Sequence, residues 1–79
     1  MSDLLNLAGH ENQTVAWGAQ QALQIQQQVQ SGAISAQEGA MLAEDLKQQV
    51  NIAMAADSIE NKVLIDSAIS GLLTVLTSI

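Results

Sequence analysis

The apolar positions of this chain recur at helical spacing almost throughout its 79 residues, and no proline interrupts them. At about 100° per residue, Val15, Ala19, Ala22 and Val29 fall on one face, with Leu23 and Ile25 at its edges. Gln13, Gln20, Gln24, Gln27 and Gln28 occupy the opposite face, and Trp17 sits among them. The pattern predicts a helix over 12–31, opened by Asn12 or Thr14 as N-cap. Its stretch QQALQIQQQVQ is rich in glutamine, but Leu, Ile and Val interrupt the run and glutamine is a fair helix former.

The octet SGAISAQE, residues 31–38, then reads as punctuation. Gly32 stands where a helix C-terminal glycine takes the left-handed conformation. Ser35 and Glu38 have capping-box spacing, Ser35 capping the next helix and Glu38 reaching back to its amide. A turn over 32–35 is therefore predicted, and a link this short makes its two helices antiparallel neighbours.

From Ala36 the pattern runs to the chain end. Leu42, Leu46, Val50 and Ala53 share a face, with Glu44, Asp45, Gln48 and Asn51 largely away from it. Asp57 and Glu60 also have capping-box spacing, yet no Gly or Pro lies there, so 36–79 is one bent helix or two. Ile65, Ile69, Leu72, Leu76 and Ile79 then repeat at 4,3,4,3, a coiled-coil seam about two heptads long. Residues 1–11 show no sustained period and are expected to form a mobile arm. The fold class expected is all-α: one domain, a helical hairpin whose second arm is bent or split near 57–60.

Composition turns this fold toward assembly. A chain this short rarely stabilises itself richly, and small scaffolds add disulfides, metals or partners. There is no Cys and one His, which removes disulfides, thiolate sites and multi-histidine sites. A partner, another copy among the candidates, is the remaining staple. Between Glu11 and Glu38 lie 26 residues without a charged side chain, which suits a helix enclosed by others. Trp17 is then either an exposed ring lying over Ala and Gln stems or an anchor for a neighbouring chain. Together with the seam (Ile65, Ile69, Leu72, Leu76 and Ile79) it forms the expected subunit interface.

A net charge of −6, with Lys47 and Lys62 as the basic residues, argues against nucleic acid and anionic membranes. Val63–Ile79 is too short and too polar for a membrane span, because its 17 residues, with five Ser or Thr and Asp66, fall short of the roughly 20 apolar residues needed. Met1-Ser2-Asp3 is not a basic leader and Leu4–Ala8 is too short an apolar region, so cytoplasmic synthesis without a cleaved signal is expected. His10 beside Glu11 reads as solvated. Glu44 and Asp45 are adjacent and diverge on a helix. Lys62 and Asp66 are four apart and suited to an exposed ion pair. No catalytic residue, metal ligand or cofactor is assigned, and the chain is not expected to be an enzyme.

Gln48-Gln49, Asp57-Ser58, Lys62, Asp66 and Ser70-Gly71, followed by apolar residues to the end, resemble the C-terminal helix of type III secretion needle and pilus subunits. Those carry a "QQ…ES…IK…D…SG" pattern. This chain departs from it in the turn SGAIS, where the family has a proline loop, and in Val50, where an aromatic is usual. Ser70-Gly71 matches with a slip of one residue, and basic residues near the end are missing. The resemblance implies a self-assembling filament with a central channel, found outside the cell, with Lys62 and Asp66 at subunit contacts. The alternatives are a helical virion or adaptor protein closing into a ring or bundle, a membrane-active protein, and a regulator burying its seam against one helical partner.

Overall fold

The computed structural model describes residues 2–78, and it is all-α. Four helices follow one another: α1 (Ser2–Ala8), α2 (Gln13–Gln30), α3 (Ala36–Ala53) and α4 (Ile59–Thr77). The long second arm is thus split in two. α2, α3 and α4 pack on one another as a three-helix bundle, and α1 lies against α2 and touches α4. The molecule measures 35 × 20 × 17 Å.

Each helix boundary has a local cause. Asn12 opens α2, its side-chain oxygen accepting from the Thr14 and Val15 amides at 3.0 Å. Gly32 ends it at φ +82°, its amide donating to the Val29 carbonyl. Ser35 opens α3 by accepting from the Glu38 amide at 3.0 Å. The Glu38 carboxylate accepts from the Ser35 hydroxyl at 3.4 Å, where the capping box would have it reach the Ser35 amide. α3 stops after Ala53 without Gly or Pro. Met54 turns out of the helix and buries its side chain, and the Asp57 amide donates back to the Met54 carbonyl. The cap of α4 is Ser58, accepting from the Asn61 amide, so the capping pair lies one residue beyond the Asp57–Glu60 pair predicted.

The expected arm over 1–11 is mostly helix, because Leu4 and Leu7 share one face and are buried in the core. A helix of 7 residues has no stability of its own, so packing holds it. On α3 the buried row is Gly39, Ala43, Leu46 and Val50; Leu42 and Ala53, expected inside, are exposed. The row is rotated because Gly39 and Ala43 let α2 and α4 approach where larger side chains would hold them off. Among the described residues the core contains no buried polar or charged side chain.

Candidate functional site

The predicted seam does not face a neighbour. Ile65, Ile69, Leu72 and Leu76 all point into the chain's own core, between α2 and α3. Periodicity identified them as buried, and a second chain was the wrong cover to assign them. Ile79 lies outside the described residues. Trp17 is 40% exposed and stands at the edge of a cleft of about 270 Å³ between α2 and α3, with Leu42, Leu46 and Gln24 around it. Gly32, Ser35 and Glu38 occupy the turn, where they cap the two helices.

The expected Lys62–Asp66 pair does not form. Asp66 faces α3, where Lys47 Nζ comes to 3.8 Å and also donates to Ser70 Oγ at 3.0 Å. Lys62 turns back to donate to the Ala55 carbonyl at 3.1 Å, closing the α3–α4 joint. Spacing of four permits an ion pair on a helix, but here Asp66 meets Lys47 of α3 and Lys62 meets a carbonyl of the α3–α4 joint instead.

A polar clasp binds the two joints of the fold through a pairing that no spacing along the chain encodes. Asn12 Nδ2 donates to Asp57 Oδ2 at 2.8 Å across 45 residues of chain. Asp57 Oδ1 accepts from the Ser58 amide at 2.7 Å and from Asn61 Nδ2 at 3.1 Å. The Asn12 amide donates to His10 Nδ1 at 3.0 Å. The hydrogen bonds from Asn12, then Asn61 and Ser58, hold the Asp57 carboxyl below its ordinary value of 3.8. Through these bonds Asp57 ties the start of α2 to the start of α4. Because the folded-state value lies below the unfolded one, its contribution is complete above pH 3.8 and is lost as pH falls through the lower folded value. Asp57→Asn is therefore expected to melt below the parent protein at pH 7, with the difference closing in acid. Thermal melts of both proteins across that range check it.

The most distinctive surface is apolar. Between α1 and the first half of α4 runs an open groove of about 660 Å³, lined by Leu7, Ile59, Val63, Leu64 and Ala68 with Asn6, Glu60 and Ser67 at its margins. Ile59 is 77% exposed and Val63 58%, and Leu64 and Val75 also face outward. The 4,3 repeat marks none of these four, because they lie off the seam positions. From Ser67 to Ser78 no residue is charged, and Ser and Thr supply the polar surface of this half of α4.

Comparison with known protein families, curated proteins and solved structures finds no match. Among the described residues no group of His, Cys, Asp and Glu is arranged to hold a metal ion, and no helix is long and apolar enough to cross a membrane. The apolar groove and the outer face of α4 are accordingly the candidate site.

Proposed function

We propose that the protein is a structural subunit that self-associates through the outer face of α4 and the groove beside α1. One observation carries this reading: beside its buried seam, α4 leaves the large apolar side chains Ile59, Val63, Leu64 and Val75 exposed. Ile59, Val63 and Leu64 line the groove together with Leu7 and Ala68, an exposed apolar patch of the kind that marks an interaction surface. The interface thus moves from the seam to its back. The seam stabilises the subunit, and the exposed stripe joins subunits.

The needle or pilus form of this assembly rests on the resemblance over residues 48–71. A filament needs two unlike surfaces that meet head to tail, whereas one self-complementary face closes into a dimer. The cleft at Trp17 and Leu42, on the α2–α3 side, supplies a second surface and supports the filament reading. Val63→Glu is the decisive substitution, because residue 63 is exposed and a charge there leaves the core intact. The variant is expected to keep the parent's circular dichroism and to sediment as a monomer where the parent associates. Electron microscopy of the parent separates filaments from closed oligomers. A parent chain that stays monomeric at hundreds of micromolar would overturn the proposal.

A further inference from the structure

The two walls of the α2–α3 cleft share one spacing. α2 presents Trp17, Gln21, Gln24 and Gln28 to it. α3 presents Leu42, Asp45 and Gln49, and the exposed Glu38 continues that row toward the turn. Each row runs 4,3,4, the repeat by which coiled-coil helices face a partner. α2 and α3 touch at Gly18 with Val50 and at Gly39 with Val29, so the rows run antiparallel and side by side. Trp17 therefore stands at the Gln49 end of the cleft and Gln28 at the Glu38 end, about 16 Å apart at 1.5 Å per residue. We infer that this cleft seats a helix of another protein, apolar along its centre and carrying Lys or Arg seven residues apart. The inference goes beyond self-association and does not depend on it.

Charge complementarity carries the choice of partner. Glu38 and Asp45 are seven residues apart on one edge of α3, about 10 Å along the cleft. No basic side chain lines the cleft. Lys47 is bonded to Asp66 and Ser70 on the α4 side, and Lys62 to the Ala55 carbonyl. Two carboxylates at a coiled-coil repeat thus have no lysine of their own chain beside them, and charges flanking a helix seam set partner choice. The cleft floor is apolar, formed by Ile25 and Leu46, while Trp17 and Leu42 stand 40% and 43% exposed above it. An amphipathic helix lays its apolar face into such a groove, and an accessible Trp is a frequent anchor.

No helix of this chain carries two basic residues, so a neighbouring subunit matches the cleft less well than a basic helix does. A bound partner helix covers the surface that a head-to-tail neighbour would use, and the two exclude each other.

Trp17 is the chain's one tryptophan, so its fluorescence reports occupation of the cleft directly. The probe is a Trp-free helical peptide of about three heptads, with Leu facing the cleft and Lys at every seventh position. Its counterpart carries Glu in place of each Lys. With the full chain kept dilute, the Lys peptide is expected to move Trp17 emission to shorter wavelength and to saturate, while the Glu peptide leaves it unchanged. Asp45→Lys is expected to weaken the Lys peptide by about tenfold or more. Glu44→Lys changes the net charge equally from an exposed position outside the cleft, and is expected to bind like the parent. Val63→Glu is also expected to bind like the parent, so a failure of self-association leaves this result untouched. Circular dichroism verifies that each variant is folded. Equal losses in Asp45→Lys and Glu44→Lys would reduce the attraction to net charge and overturn the site. Equal binding of the two peptides would overturn it too, as would Trp17 emission unmoved by the Lys peptide at hundreds of micromolar.

Discussion

Leu72→Asp is expected to leave the chain unfolded at neutral pH, with most of its helical circular dichroism lost. Leu72 is 2% exposed, and Ile65, Ile69 and Leu76 on either side are equally enclosed. The described core has no polar side chain with which a carboxylate could pair. An ionised group left unpaired in such surroundings costs far more than a lost methylene, and the neutral acid still forfeits the packing of leucine. A chain of this length has a total stability of about 4–12 kcal/mol, which is within reach of that single loss. Leu72→Ala sets the lower bound, at about 2–5 kcal/mol, seen as a lower melting temperature with the fold retained at 25 °C. The alternative outcome is informative. A Leu72→Asp chain that stays helical and merely fails to associate would make the seam an intersubunit surface and the three-helix bundle wrong. The contrast with Val63→Glu, on the same helix and expected to stay folded, separates core from interface.

How far the sequence carried the fold depends on what each signal encodes. Local chemistry was legible: Asn12, Gly32, Ser35 and Glu38 sit where capping and turn rules put them. Periodicity also found Ile65, Ile69, Leu72 and Leu76 as buried positions. What periodicity lacks is the identity of the cover. A 4,3 repeat has the same form whether the facing helix belongs to the same chain or to another. The choice turned on the joint at 54–58, where the helix stops through a buried Met54 and a polar clasp, without Gly or Pro. Once that joint folds α4 back, the seam has α2 and α3 to pack on. α1 escaped notice because two leucines one turn apart make no period. The Asn12–Asp57 bond joins residues far apart in the chain, a pairing that only the closed bundle creates.

Glycine was the other silent residue, and Gly39→Val is expected to show its importance. In a helix interior, glycine costs about 1 kcal/mol against alanine, so its presence in α3 needs a reason. A Cβ at Gly39 would lie 2.5 Å from Val29 Cγ2 and 3.4 Å from Leu76 Cδ1. The position is where α2 and α4 both press on α3. Gly18 does the same at the other end of α2, where a Cβ would meet Val50 Cγ2 at 3.0 Å and Ile65 Cγ1 at 3.1 Å. Each glycine thus lets one helix touch the other two at once, and together they set the interhelical distances at both ends. Val29 is β-branched and stiff about χ1, so it gives way poorly. Overpacking of this kind costs about 1–3 kcal/mol, and each kcal/mol is about 4–8 °C of melting temperature in a domain this small. Gly39→Val is expected to melt roughly 5–20 °C below the parent, and Gly39→Ala to fall much less, since the helix preference for alanine offsets part of the clash. Thermal melts of the parent and the two variants decide it: a valine variant as stable as the parent would mean that the helices have room at this point and that the close approach of α2, α3 and α4 is not what requires glycine there.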